Sequence, residues 1–180
     1  MRFVYALCLV FLLAACAAKP VAPRNGLYQG SRENSSCAPL SIDDRLRILS
    51  LANPSNYKKT RYHRGPRYGA RNIETETDCS SFVHEIYNRA GLEFVYRSTR
   101  DIRRADEFEE IEESQAKPGD LMVFSGHVGI IAEDGKIISA TKVHRRKKQK
   151  SAITKMAKEN FSRRRYVLRY RCGPNSMAGR

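Results

Sequence analysis

Apolar and polar positions along the chain sort into short blocks, each with its own period. Phe3 to Leu13 is an apolar run behind Arg2, interrupted only by Tyr5 and Cys8. It is too short to span a membrane as a mature helix and has the length of a signal h-region. Lys19 to Leu40 is rich in Pro, Gly, Ser and Asn, has no apolar period, and reads as a tether. Ser41 then caps a helix whose apolar face is Ile42, Leu46, Leu49 and Ala52, with Asp43 and Asp44 in its first turn and Asn53-Pro54 as its stop. Asn56 to Thr77 is polar, broken by Gly65, Pro66 and Gly69, and reads as a loop. After it, Phe82, Val83, Ile86 and Ala90 recur at helical spacing, capped by Asp78 and ended by Gly91. His84 falls on the opposite, solvent-facing side.

Phe94-Val95-Tyr96 reads as a short strand or extended piece, followed by a charged helical turn from Ser98 or Thr99 to about Phe108. Lys117-Pro118-Gly119-Asp120 is a turn. Leu121–Phe124, His127–Ala132 and Lys136–Thr141 read as strands, with Ser125-Gly126 and Glu133-Asp134-Gly135 between them. Ser151 to Phe161 has a helical period, and Tyr166–Tyr170 is a last strand. Helices precede a meander, so the class is α+β with an antiparallel sheet, and there is no internal repeat.

Removing residues 1–15 as a signal peptide leaves about 165 residues, one domain with a real core. The expected organisation is signal 1–15, tether 16–40, domain 41–172 and tail 173–180. The net charge of +14 is concentrated between Lys142 and Arg171, where thirteen Lys/Arg face one acidic residue. Nucleic acid is the reflex partner for such a stretch. An export signal argues against it. An anionic envelope polymer or lipid is the alternative, and plain solvation of the charges is the other.

Cys79 carries the chemistry. It stands on the first turn of the helix capped by Asp78, where the dipole favours a thiolate and a lowered pKa. A thiolate is the attacking species of cysteine catalysis. The alternative is a small buried hydrophobe or half a disulfide. A base is needed, and four His are present. His63 and His144 sit in basic, solvated stretches and His84 points to solvent. His127 opens a strand directly after a turn, and a helix-start Cys against a sheet-borne His is the arrangement papain-like enzymes use.

Asp78-Cys79-Ser80-Ser81-Phe82-Val83, Pro118-Gly119-Asp120-Leu121-Met122-Val123-Phe124 and His127-Val128-Gly129-Ile130 resemble, in order, three motifs of the NlpC/P60 cell-wall peptidases. The resemblance covers about Tyr57 to Tyr170. It implies a papain-like α+β fold, Cys79 as nucleophile, His127 as general base and acid, no cofactor and no metal. The family's third polar residue, commonly His, falls twelve residues after His127 on Ser139. A three-residue Glu133-Asp134-Gly135 loop would pair Ala132 with Lys136 and put Ser139 on the face of His127. A two-residue Asp134-Gly135 turn would flip it away. A neutral hydroxyl cannot stabilise imidazolium as a carboxylate would. The family's Tyr before the nucleophile matches Tyr62, or Pro66 if the following glycine pair is aligned on Gly69-Ala70. Tyr62 and the Cys79 backbone N–H are the oxyanion donors this implies. Ser81 stands where the family has Gly.

Leu13-Ala14-Ala15-Cys16 resembles a bacterial lipobox, which implies lipid on Cys16. Cleavage at the small residues without lipidation is the alternative. Ala17 after the Cys favours, by resemblance to sorting signals, an outer membrane location facing the periplasm. Cys37 and Cys172 are then left and could pair in an oxidising envelope. Two functions follow from the resemblance. One is a lipid-anchored cysteine endopeptidase cutting peptidoglycan stem peptides or cross-links. The other is a non-catalytic wall-binding or scaffold lipoprotein of the same fold.

Overall fold

The computed structural model describes residues 39–63, 72–93, 95–142 and 151–172. The expected signal peptide, Cys16, nearly all of the tether, Cys37, the loop glycines Gly65 and Gly69, His144 with its basic run, and the tail lie outside them. Two helices, α1 (Ile42–Ala52) and α2 (Cys79–Arg89), pack on one face of a six-stranded sheet. Its strands are β3 (Phe108–Ile111), β4 (Leu121–Phe124), β5 (His127–Ile131), β6 (Ile137–Ala140), β7 (Ile153–Met156) and β8 (Arg165–Tyr170). Their order is β3-β8-β4-β5-β6-β7, antiparallel throughout. A two-residue parallel pair, β1 (Arg61–Tyr62) and β2 (Glu76–Thr77), leads into α2.

Helix α2 forms as its sequence dictates. Ser81 N–H donates to Asp78 Oδ1 at 2.8 Å. At the other end Gly91 adopts φ 83°, and the N–H groups of Gly91 and Leu92 close back on Asn88 and Tyr87. That is a Schellman ending, which needs a residue without a Cβ penalty at positive φ. Phe82, Val83, Ile86 and Tyr87 are fully buried against Val128, Ile130, Ile138 and Leu168. Each such side chain contributes about 1.5–3 kcal/mol of burial. His84 is half-buried rather than solvent-facing: Asn88 Nδ2 lies 2.9 Å from its Nε2 and the Tyr96 ring meets it edge-on.

Helix α1 starts where expected, with a full capping box between Ser41 and Asp44. Its buried face differs from the expected one. Ile42 and Leu46 are 76% and 53% exposed, whereas Ile48 and Ala52 are buried and Arg45 is half-buried. The helix is turned by roughly 60° from the apolar stripe, at 100° per residue. The cause is Asp120, whose side chain is fully buried at the start of β4. Arg45 Nη1 reaches its Oδ1 at 2.9 Å and the Pro118 carbonyl at 2.7 Å. From β8, Arg169 Nη2 reaches Oδ2 at 2.8 Å, and the Lys117 N–H donates to the same oxygen. A buried carboxylate must be paired, and that demand outweighs two apolar side chains left in water.

The Lys117–Asp120 turn, β4 to β6 and the last strand lie where the sequence places them. Four expectations change. Within 56–77 the chain forms a 3-10 turn (Pro54–Tyr57) and the β1/β2 pair instead of loop alone. Val95 and Tyr96 form no strand, and the charged stretch makes only a 3-10 turn (Ile102–Arg104) before β3 begins at Phe108. Ser151–Phe161 is not a helix: it is β7 and a 3-10 turn (Lys158–Asn160). Its apolar spacing is helical, and pairing along β6 overrode that local period. Finally β8 returns beside β4, so the meander β4–β7 is extended by β8 and β3 on its other side. No helix among the described residues is long and apolar enough to cross a membrane.

Both sheet faces are covered, which is why β4 and β6 are buried at every position. The second face holds Met122, Phe124, Ile131, Ile137 and Val167, with Phe161 packed over them.

Removing the Asp120 carboxylate strands two largely buried guanidinium groups. Asp120→Ala is expected to lower stability by about 3–5 kcal/mol in urea unfolding followed by circular dichroism. A loss below about 1 kcal/mol, as for a surface pair, would show that the ion pairs do not hold α1 and β8 to the sheet.

Candidate active site

The start of α2 meets the start of β5. Cys79 is 4% exposed, and its thiol lies against the Thr99 hydroxyl at 3.7 Å and the backbone of Val128, the residue after His127. Ser80 Oγ donates to Asp78 Oδ1 and lies 3.2 Å from the Tyr96 hydroxyl. The segment Tyr96–Thr99 thus contacts the start of α2, with Thr99 against the thiol and Tyr96 against Ser80. Tyr62 stands on β1 opposite Thr77, two residues before Cys79, and packs on the core.

The β5–β6 hairpin closes with the three-residue loop. Gly135 has φ 70°, and the Ala132 N–H donates to the Lys136 carbonyl at 2.8 Å. Ile130 pairs with Ile138 and Ile131 with Ile137, so Ser139 shares the face of His127. Its hydroxyl lies 2.9 Å from His127 Nε2 and donates to the Val128 carbonyl at 2.6 Å. These two contacts define the tautomer. A carbonyl only accepts, so the single hydroxyl proton of Ser139 goes to Val128. The Nε2 of His127 must then carry the proton that Ser139 accepts, and the bare nitrogen of a neutral ring is Nδ1. Gly129 makes this approach feasible. A Cβ there would stand 2.4 Å from Ile137 Cγ2 and 2.9 Å from Ser139 Cβ.

Electrostatics correct one expectation. The helix start does not lower the Cys79 pKa: burial pushes the thiol up, and the Thr99, Val128 and Ser80 contacts only partly oppose it. The nearby Asp78 carboxylate adds to the rise. Burial likewise lowers His127 to about 4. At neutral pH the resting pair is thiol and neutral imidazole. The thiol's contacts are Thr99 and the backbone of Val128 and Ser80, whereas the ring's are Ser139, Phe124 and Phe161, so the two groups meet through β5 at Val128.

Phe161 was invisible as a site residue, because its segment read as a helix. Its ring stacks on His127 at 4.9 Å and 18° and on Phe124 at 4.6 Å and 24°. Thr99 carried no signal either, since only the folded loop brings it to the thiol. Cys172 is disulfide-bonded, and Cys79 is free. The partner of Cys172 lies outside the described residues. Among the described residues no cluster of His, Cys, Asp and Glu could hold a metal.

The sequence pattern of the NlpC/P60 family matches residues 61–168. The chain is 36% identical over 115 residues to a probable endopeptidase p60 of Listeria grayi, covering 59% of this chain and 22% of that protein. It thus spans about a fifth of that curated relative's length. Among solved structures, it is similar to a Staphylococcus aureus protein described as similar to lipoprotein, NLP/P60 family. There the TM-score is 0.52 at 19% identity, over 78% of this chain and 45% of that one. NlpC1 of Trichomonas vaginalis has a TM-score of 0.50 at 18% identity, over 78% and 48%. At these identities the structures establish the fold alone.

A buried neutral imidazole makes stability pH-dependent. The unfolded chain takes up this proton near pH 6.5 and the folded chain only near 4, so stability is whole above 6.5 and falls as pH drops between the two. The loss is about 3 kcal/mol, from 1.36 kcal/mol per unit. Urea midpoints at pH 7 and pH 4 should therefore differ more for the parent than for His127→Gln. Parallel losses in both would show that the ring is solvated.

Proposed function

The chain belongs to the NlpC/P60 family, and we propose that it is a cysteine endopeptidase acting on peptidoglycan stem peptides or cross-links. The observation that carries this reading is the hydrogen bond from His127 Nε2 to Ser139. It leaves Nδ1 as the base, on a ring whose neighbour Val128 touches the Cys79 thiol.

In this mechanism His127 Nδ1 takes the Cys79 proton while the sulfur attacks the scissile carbonyl. The oxyanion forms at the start of α2. There the Ser81 N–H is committed to Asp78 and the Ser80 N–H bonds the thiol, so the Cys79 N–H is the available donor, with Tyr62 the second candidate. The imidazolium then protonates the leaving amine, and water hydrolyses the thioester through the same base. Ser139 holds the tautomer throughout. The chain acts, on this proposal, as an exported domain of residues 41–172 behind a signal (1–15) and a tether (16–40). It is anchored by lipid on Cys16 in the cell envelope, at the outer membrane facing the periplasm. The basic region 142–171 serves retention on anionic envelope polymer or lipid. Cys37 is the partner proposed for Cys172.

A second reading has its own observation. The thiol's raised pKa and the uncharged residue in the third position both suit a non-catalytic peptidoglycan-binding member. Incubation with purified sacculi separates the two. The peptidase releases soluble muropeptides, and Cys79→Ala abolishes release while retaining sacculus binding. Release by Cys79→Ala at the parent's rate would remove Cys79 as nucleophile, and binding without release by the parent would favour the second reading.

Ser139→Ala removes the acceptor for Nε2–H and frees the ring to take the wrong tautomer. A rate loss on the order of tenfold is expected, about one neutral hydrogen bond. Ser139→His, restoring the family's usual acceptor, should preserve or raise the rate. No effect of Ser139→Ala together with an inactive Ser139→His would make Ser139 a packing residue.

A further inference from the structure

Phe161 ends the 3-10 turn Lys158–Asn160, and the segment that carries it is pinned on both sides. Lys158 Nζ and Arg165 Nε bind the two oxygens of one carboxylate, Glu113, each at 2.5 Å. Between them, Ser162 Oγ accepts from the Ser125 N–H at 3.1 Å, in the turn that delivers His127 to β5. The ring thus held lies nearly parallel to the imidazole and to Phe124, while those two are inclined to each other by 41° at 6.4 Å.

We propose that Phe161, clamped through Glu113, is a positioning residue for His127, stacking on the imidazole to fix its ring plane and shut water from that face. The proposal rests on the peptidase reading above and adds a residue to it. A hydrogen bond from Nε2 to Ser139 constrains the ring within its plane but leaves it free to tilt. A parallel aromatic ring at stacking distance constrains the tilt. Charge around the ring is sparse. From β6 come the hydroxyls of Ser139 and Thr141, and from β4 comes Phe124. The covering segment and β8 carry Lys158, Glu159 and Arg165, with Lys158 and Arg165 both paired to Glu113. Desolvation therefore sets the resting protonation of His127, and Phe161 is the side chain stacked on its face.

The test is an NMR titration of the His127 ring in the parent, Phe161→Leu, Phe161→Tyr and Glu113→Gln, with muropeptide turnover in parallel. The parent is expected to titrate near 4. Phe161→Leu should move this up by about one unit or more as water reaches the ring, with Glu113→Gln in between and Phe161→Tyr near the parent. Phe161→Leu should also lose roughly tenfold in kcat with KM within about twofold, and Phe161→Tyr should restore kcat. A Phe161→Leu ring that titrates with the parent, or a shifted ring with the parent's kcat, overturns the proposal. If Phe161→Leu does not fold, Glu113→Gln is judged by the same two criteria. If the parent cleaves no peptide, the peptidase reading fails on that ground. The titration alone then decides whether Phe161 governs the imidazole.

Discussion

One buried carboxylate ties the domain together. Asp120 sits with its side chain fully inside, at the point where the Lys117–Asp120 turn becomes β4. Two guanidinium groups and a backbone N–H answer its charge, and they come from α1, β8 and the turn itself. One residue earlier, the Gly119 carbonyl accepts from the Tyr87 hydroxyl of α2 at 2.6 Å. Gly119 holds φ 87° against the backbone of Arg45, where a side chain would be strained. The Pro118-Gly119-Asp120 stretch is therefore a junction of four elements and not chemistry. Desolvating a carboxylate is costly, so this junction specifies one arrangement and penalises every other.

That junction sets where α2 lies across the sheet, and the sheet register does the rest. A three-residue loop with Gly135 at positive φ puts Ser139 under His127, and Gly129 leaves the room. The thiol and the imidazole of the resulting site are held in their uncharged forms by burial. Its polarity comes from a chain of directed hydrogen bonds: imidazole to hydroxyl, hydroxyl to carbonyl. Each has one available direction, so the base nitrogen is specified without a charged partner. On the proposed peptidase reading the ion pair would form only during the reaction, which places weight on how rigidly the imidazole is held.

Rigidity is supplied from the side opposite the helices. The smaller apolar cluster on the second sheet face ends in Phe161, and the Glu113 ion pairs fasten its segment to β8. In this way the covering of an otherwise open sheet face is coupled to the imidazole. The packing that excludes water from Met122 and Ile137 also excludes it from His127.

By itself the amino-acid sequence determined the local structure and the chemical inventory. Asp78 before Cys79 and Gly91 after Ala90 are caps whose meaning is local, so α2 was legible to the residue. Gly126 and Gly135 mark turns that favour positive φ, so β4, β5 and β6 followed, but the choice between a three- and a two-residue loop, and with it the register of β6 on β5, was decided only by the folded hairpin. Cys79 was legible from its place at the capped start of α2 and His127 from its place on a strand after a turn, while Ser139 was a candidate only through the resemblance to the NlpC/P60 motifs. Tertiary structure decided whatever depends on partners distant in sequence. Arg45 turns α1 away from its apolar stripe because Asp120, seventy-five positions on, needs a counter-charge. Residues 151–161 became strand because β6 offered an unpaired edge, and with that Phe161 came to the imidazole. The thiol is protonated rather than ionised because burial, which no helix position reveals, outweighs the dipole at the start of α2.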